Sequence, residues 1–180
     1  KKKKNYLLFL DEYGPYHSDF NFFGKKPYVT AKNYYPSIDY ALHKIAKSLS
    51  LNIKIAAYPR SNYKIKRIKY KYPVIKNKTF QLIRDANIVI GHYSSSLQMA
   101  IIMKKPIIFI TTDEIEGEYD RLFAKNIYSF ATTLGKKAVN INHILNDTDW
   151  KDYLIIDNKK YEKYVDNYVK TKRSPKKLIW

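Results

Sequence analysis

Residues 87–100 read NIVIGHYSSSLQMA. The β-branched run Ile88-Val89-Ile90 stops at Gly91-His92, three serines follow, and Leu97, Ala100 and Ile101 then recur at helical spacing. A buried strand that turns at once into a helix is half of a βαβ unit. PIIFITT (106–112) supplies the next strand, apolar throughout and so covered on both faces. Upstream, NYLLFLDEY (5–13) and NIKIAAY (52–58) are two more strands. The four lack in/out alternation and are separated by segments of helical period. The pattern predicts an α/β fold, a doubly wound parallel sheet of Rossmann-like type.

The intervening segments are less even. A helix is predicted from Ser37 as N-cap, with Asp39 in its first turn and Ile38, Ala41, Leu42, Ile45 and Leu49 on one face. A short helix capped by Thr79, a helix over Ser95–Lys104, a partial helix over Glu114–Lys125 and a last one over about 159–171 follow. Residues 15–36, punctuated by Gly24, Pro27 and Pro36, read as a long loop, and 61–78 as an exposed strand or loop. A short strand is expected near Ala138–Ile141. The organisation expected is an α/β domain over 1–158, with residues 159–180 forming a helix and tail that pack on it or on a further domain.

The chain has 180 residues and 45% hydrophobic residues, enough for one domain with its own core. No apolar run reaches the ~18 residues of a membrane span. No signal peptide is read, because Lys1–Lys4 precede only Tyr6–Leu10 before two acids. Absence of cysteine excludes disulfides, thiolate metal sites and a thiol nucleophile, and fits a reducing compartment. Residue 1 is lysine rather than methionine, which leaves room for a longer parent chain. The net charge of +18 favours anionic partners, although an A/T-rich coding sequence over-supplies lysine, asparagine, isoleucine and tyrosine by itself.

In an open parallel sheet, ligands bind beyond the carboxyl ends of the strands. Four polar groups follow strands directly: Asp11-Glu12, Tyr58-Pro59-Arg60, His92 with Ser94-Ser95-Ser96, and Thr111-Thr112-Asp113. The fold would bring them to one rim. A helix opening near Ser95 would present free amides and hydroxyls, suited to a phosphate. Arg60 offers a fork of donors for the same purpose. Asp11 or Glu12 can act as a general base, and at most one of these neighbours enters a given cleft unless the turn intervenes. His17 and Asp19 lie in the loop just after. His43 and His143 are read as structural. There is no GxGxxG, Walker loop, HExxH, Cys/His metal spacing or GxSxG.

The motif order resembles a family of bacterial surface-polysaccharide glycosyltransferases of the two-domain GT-B type. The stretches that carry it are FLDEYGPYHSDF, IAAYPRSNY, VIGHYSSS, KKPIIFITTDE and the terminal SPKKLIW, spread over nearly the whole chain. The same pattern is similar to that of bacterial sialyltransferases and polysialyltransferases, with their acidic, HP and paired-serine motifs. That resemblance implies that the chain is one half of a GT-B architecture, the donor-binding half, with a missing N-terminal domain across the active-site cleft. It implies a nucleotide-sugar donor, such as a CMP-sugar, and no metal or other cofactor. Asp11, Glu12 and His17 would be catalytic. Tyr58, Pro59, Arg60, His92, Ser94, Ser95, Ser96, Thr111, Thr112 and Asp113 would hold the donor. Tyr58 stands where the family has histidine, and Tyr13 separates the acidic pair from Gly14.

The activity so implied is sugar transfer to a capsular polysaccharide or a lipid-linked lipooligosaccharide acceptor. The setting implied is cytoplasmic, at the anionic inner face of the membrane as a peripheral protein. A nucleic-acid-binding module, suggested by charge and interleaved Lys and Tyr, is the rival reading, but nucleic acid does not account for polar groups gathered after strands. A catalytically inactive interaction domain is the third.

Overall fold

The computed structural model describes residues 5–66, 68–117, 121–144 and 148–170. Six strands form one all-parallel sheet: β1 (Tyr6–Leu10), β2 (Asn52–Ala56), β3 (Val74–Ile75), β4 (Ile88–Gly91), β5 (Ile107–Thr111) and β6 (Ala138–Asn140). Their order is β3-β2-β1-β4-β5-β6. Every residue of β1, β4 and β5 is buried, which is why these strands carry continuous apolar runs. The fold is the doubly wound, Rossmann-like α/β architecture expected. The sheet narrows outward, with two residues in β3 and three in β6 against five in β1.

Seven helices flank the described sheet: α1 (Ser18–Phe22), α2 (Ala31–Leu49), α3 (Thr79–Asp85), α4 (Leu97–Ile102), α5 (Asp113–Glu116), α6 (Leu122–Thr133) and α7 (Asn158–Tyr164). Helix α2 begins six residues before its expected start at Ser37. Its first turn closes through Thr30 O, which accepts from the Asn33 and Tyr34 amides. Glu114 seals that end from outside: its carboxylate accepts from Thr30 N (2.8 Å), Thr30 Oγ1 (2.8 Å) and Asn33 Nδ2 (2.7 Å). Pro36 removes one amide, the partner of Lys32 O, close enough to the start that the helix runs on. The predicted loop over 15–36 therefore contains α1 and the first turn of α2.

Other boundaries moved for local reasons. Helix α4 spans six residues rather than the predicted ten, because Ser94–Ser96 form a preceding turn. Gly117 ends α5, and α6 then runs to Thr133, eight residues past the expected end. Leu134 and Gly135 stop it, with Gly135 at φ +71. Helix α7 is capped by the Asp157 carboxylate on Lys160 N and continues as a π-helix over Val165–Val169. It packs back on the domain: Tyr161 is buried, and its hydroxyl donates to Lys105 O at 3.1 Å. The terminal SPKKLIW lies outside the described residues.

Candidate functional site

Going outward from β1, the chain proceeds to β2 and β3 on one side and to β4, β5 and β6 on the other. Between the tips of β1 and β4 the connections diverge, and the loops part to leave a crevice. A cavity of about 390 Å³ lies there. Asp11 and Glu12 line it from β1, Tyr58 and Pro59 from β2, and Ser94, Ser95 and Ser96 from β4. His17 joins from the loop beyond β1. Three of the four polar groups singled out in the sequence thus converge.

Both acids line the crevice, because they lie past the end of β1 at Leu10 where strand alternation no longer applies, but their carboxylates turn to different partners. Asp11 is 4% exposed. Its carboxylate accepts from the Tyr13 amide (2.9 Å) and the Tyr63 hydroxyl (2.6 Å). Burial pushes its pKa up to about 6, against the lowering effect of these hydrogen bonds. Glu12 is half-buried and turns toward β4, where Oε1 accepts from Tyr93 N at 2.8 Å. Burial, reinforced by the neighbouring Asp11 charge, pushes its pKa up to about 7, while the backbone amides of Tyr93, His92 and Ser94 pull the other way. The amides at the end of β4, just before the serine turn, thus hold the protein's own carboxylate.

The serine turn is open to the cavity. Ser94 Oγ accepts from Ser96 N at 3.3 Å, so the Ser94 proton remains free to donate outward. Ser95 is exposed. His92 is placed differently from expectation. It is 2% exposed, Nδ1 bonds Ile110 O at 2.8 Å and Nε2 bonds the Tyr34 hydroxyl at 3.0 Å. A carbonyl only accepts, so Nδ1 carries the proton and Nε2 receives that of Tyr34. Burial holds its pKa down to about 4, and the ring is neutral. His92 joins α2 to β5, and both its nitrogens are spent inside the protein.

His17 Nδ1 accepts from Asp19 N at 3.3 Å, capping α1. Burial lowers its pKa, and the nearby Asp19 charge opposes the shift. The neutral ring then carries its proton on Nε2. It packs 4.6 Å from the Tyr58 ring, between the crevice and a second, aromatic cavity of about 320 Å³ that also reaches Glu12 and is walled by Phe20, Tyr28 and Phe123. Arg60 folds back from the crevice: Nε donates to the Tyr58 hydroxyl at 2.8 Å, and an Nη lies 3.7 Å from Asp19. Tyr58 therefore anchors an arginine.

The fourth group stands apart. Thr111 is buried and donates to Glu116, and Thr112 caps α5 by accepting from Ile115 N. Asp113 bonds Asn140 Nδ2 (2.9 Å) and His143 Nε2 (2.8 Å). Thr111 and Thr112 thus fasten α5 to the β5 tip and Asp113 ties it to β6, one strand away from the crevice. Among the described residues no group of three His, Cys, Asp or Glu gathers that could hold a metal ion, and no helix is long and apolar enough to cross a membrane.

Sequence reasoning missed the tyrosine surround of Asp11. Tyr63 and Tyr70, from the Lys/Tyr stretch, turn inward, while Lys64, Lys66, Lys69 and Lys71 face solvent. Tyr13 was missed as well. It adopts φ +58, held by its amide on Asp11 and by rings of Tyr16, Tyr58 and Tyr63. Gly14 follows because a Cβ there would meet Val29 Cγ2 at 3.0 Å.

No protein-family model and no curated protein matches the chain. Among solved structures, it is similar to UDP-GlcNAc 2-epimerase of Methanocaldococcus jannaschii, in complex with UDP-GlcNAc and UDP, at 14% identity and a TM-score of 0.42, over 89% of this chain and 44% of that one. It is also similar to UGT89C1 of Arabidopsis thaliana, complexed with UDP-L-rhamnose, at 13% identity and a TM-score of 0.41, over 91% and 39%. The chain spans less than half the length of either.

Proposed function

We propose that this chain is the nucleotide-sugar-binding domain of a glycosyltransferase that builds a surface polysaccharide or lipooligosaccharide. What carries the reading is the crevice at the point where strand order reverses, where Glu12 faces the serine turn across β1 and β4. The motif order in the sequence supports it independently.

In this reading Ser94 and Ser95 donate to the phosphate of a nucleotide-sugar, a CMP-sugar among the candidates. Tyr58 and Pro59 wall the nucleoside side. Glu12, with a pKa near neutrality and aimed by the Tyr93 amide, takes the proton of the acceptor hydroxyl. His17 presents its Nε2 proton to the leaving phosphate. Asp11 positions rather than reacts, since both its oxygens are engaged. The serine turn and Nε2 of His17 meet the leaving group's charge, in a cleft completed by a second domain. The exposed lysines are suited to an anionic membrane face. The nucleic-acid reading loses its aromatic platform, because Tyr63 and Tyr70 pack against Asp11 rather than facing solvent.

A ligand screen by thermal shift tests this, with CMP, UDP, GDP and a short oligonucleotide as the additives. At 100 times its dissociation constant a nucleotide stabilises by ~2.7 kcal/mol. A shift with one of the three nucleotides, abolished in Ser95→Ala, is expected. Response to the oligonucleotide alone would replace this reading with the nucleic-acid one.

A further inference from the structure

A third space, a groove of about 350 Å³, opens on the other side of the serine turn, between α4, α6 and α7. Its size falls within the ~300–1,000 Å³ of small-molecule sites. Ser94 and Ser95 line both this groove and the crevice, so the two spaces meet at that turn. Apart from these two shared serines, the proposed donor chemistry makes no use of it.

Its lining is unusual for this protein. The chain carries 34 Lys and Arg and 16 Asp and Glu, yet none of the described residues lining the groove is charged. The wall is aromatic: Phe130 and Tyr164 stack at 5.2 Å and 22°, Tyr168 lies 5.0 Å from Tyr164, and Tyr93 meets Phe130 edge-on at 5.8 Å. Tyr93 and Tyr168 are 45% and 66% exposed, so these rings present area to solvent rather than to the core. Between them stand the amides of Gln98 and Asn126 and the hydroxyls of Ser129 and Thr133. The segment bearing Tyr168 is a π-helix, a deformation that recurs at functional sites.

We propose that this groove binds a neutral saccharide chain. Aromatic faces carry negative π charge and attract the slightly positive C–H faces of a pyranose. Neutral amides and hydroxyls both donate and accept, as sugar hydroxyls require. An anionic ligand would find no cation among the described lining residues. Where sugar transfer occurs at the crevice, a chain in this groove ends at Ser94–Ser95, beside the donor. Binding of the saccharide itself does not depend on that reaction.

The test is isothermal titration with maltohexaose, cellohexaose and N-acetylchitohexaose at about 0.5 M NaCl, which screens the lysine surface to a Debye length of roughly 4 Å. At least one is expected to bind with a dissociation constant of about 1 mM or tighter. Ser129→Trp, which fills the groove from an exposed position, is expected to weaken it at least tenfold. Tyr168→Ala, which removes an exposed ring, should weaken it severalfold. Nucleotide-induced thermal shifts should be unchanged in both variants, which separates this site from the crevice. Absence of saturable binding by all three sugars, or equal binding by Ser129→Trp, overturns the proposal.

Discussion

Replacing Glu12 by glutamine should change how stability responds to pH. The carboxyl titrates near 4.5 when unfolded and near 7 in the folded chain, where burial disfavours its charge. A raised pKa means that the folded state binds the proton more tightly. The stability this contributes is complete below about 4.5 and is lost as pH rises through about 7. Between pH 5.5 and 8 the loss is about 2 kcal/mol, taking ~1.36 kcal/mol per pKa unit and the protonated fractions at each pH. Asp11, raised to about 6, acts in the same direction. His92 acts oppositely, because its depressed pKa of about 4 costs stability as pH falls below 6.5. The wild-type curve mixes all three, so the readable quantity is the gap between wild type and Glu12→Gln. Glutamine retains an oxygen for the Tyr93 amide and cannot ionise. Urea melts at pH 5.5 and 8 should show that gap shifting by about 2 kcal/mol in favour of the variant at the higher pH, roughly 1 M in midpoint for a slope of ~2 kcal/mol/M. A gap that is the same at both pH values would refute the half-buried, proton-holding Glu12 and with it the proposed base.

Three further outcomes follow from the packing. His92→Ala should cost about 3 kcal/mol in denaturant melts, since it leaves a void and strands the Tyr34 hydroxyl and Ile110 carbonyl. Ser94→Ala should lower stability by about 1 kcal/mol through loss of its bond to Ser96 N, whereas Ser95→Ala should leave melting unchanged in the absence of nucleotide. Gly135→Ala should lower stability by about 1 kcal/mol or more, because the residue sits at φ +71 and a Cβ would come 2.9 Å from Lys160 Cδ; a neutral thermal melt would show that Lys160 yields freely and that the left-handed turn costs nothing.

Strands announced themselves because double-sided burial leaves a simple mark. YLLFL, IVIG and IIFIT are apolar without interruption, and each is a central strand. The crevice was legible for a related reason: topology, not side-chain detail, decides where strand tips meet. What failed was local. Pro36 reads as a helix stop, yet a cap supplied from Glu114, 81 residues beyond Asn33, sets the true start of α2. Thr111 ends a strand and Asp113 follows it much as the other groups do, but β5 lies beside the switch point rather than at it, and their groups pair with Glu116 and Asn140. His92 looked like a ligand donor because sequence cannot show that a carbonyl and a tyrosine already claim its two nitrogens. The fate of the Lys/Tyr run depended on a buried Asp11, and no local periodicity encodes that contact.

The taper of the sheet has a consequence for how this molecule meets others. A neighbouring chain that sought to zip onto either margin would find two residues at β3 and three at β6, too few ladder bonds to hold a fresh strand. Growth by backbone pairing, the route to fibrils and swapped dimers, is thereby starved at both borders. Companions are left the helix faces and the loops that crown the strands, where the candidate site lies.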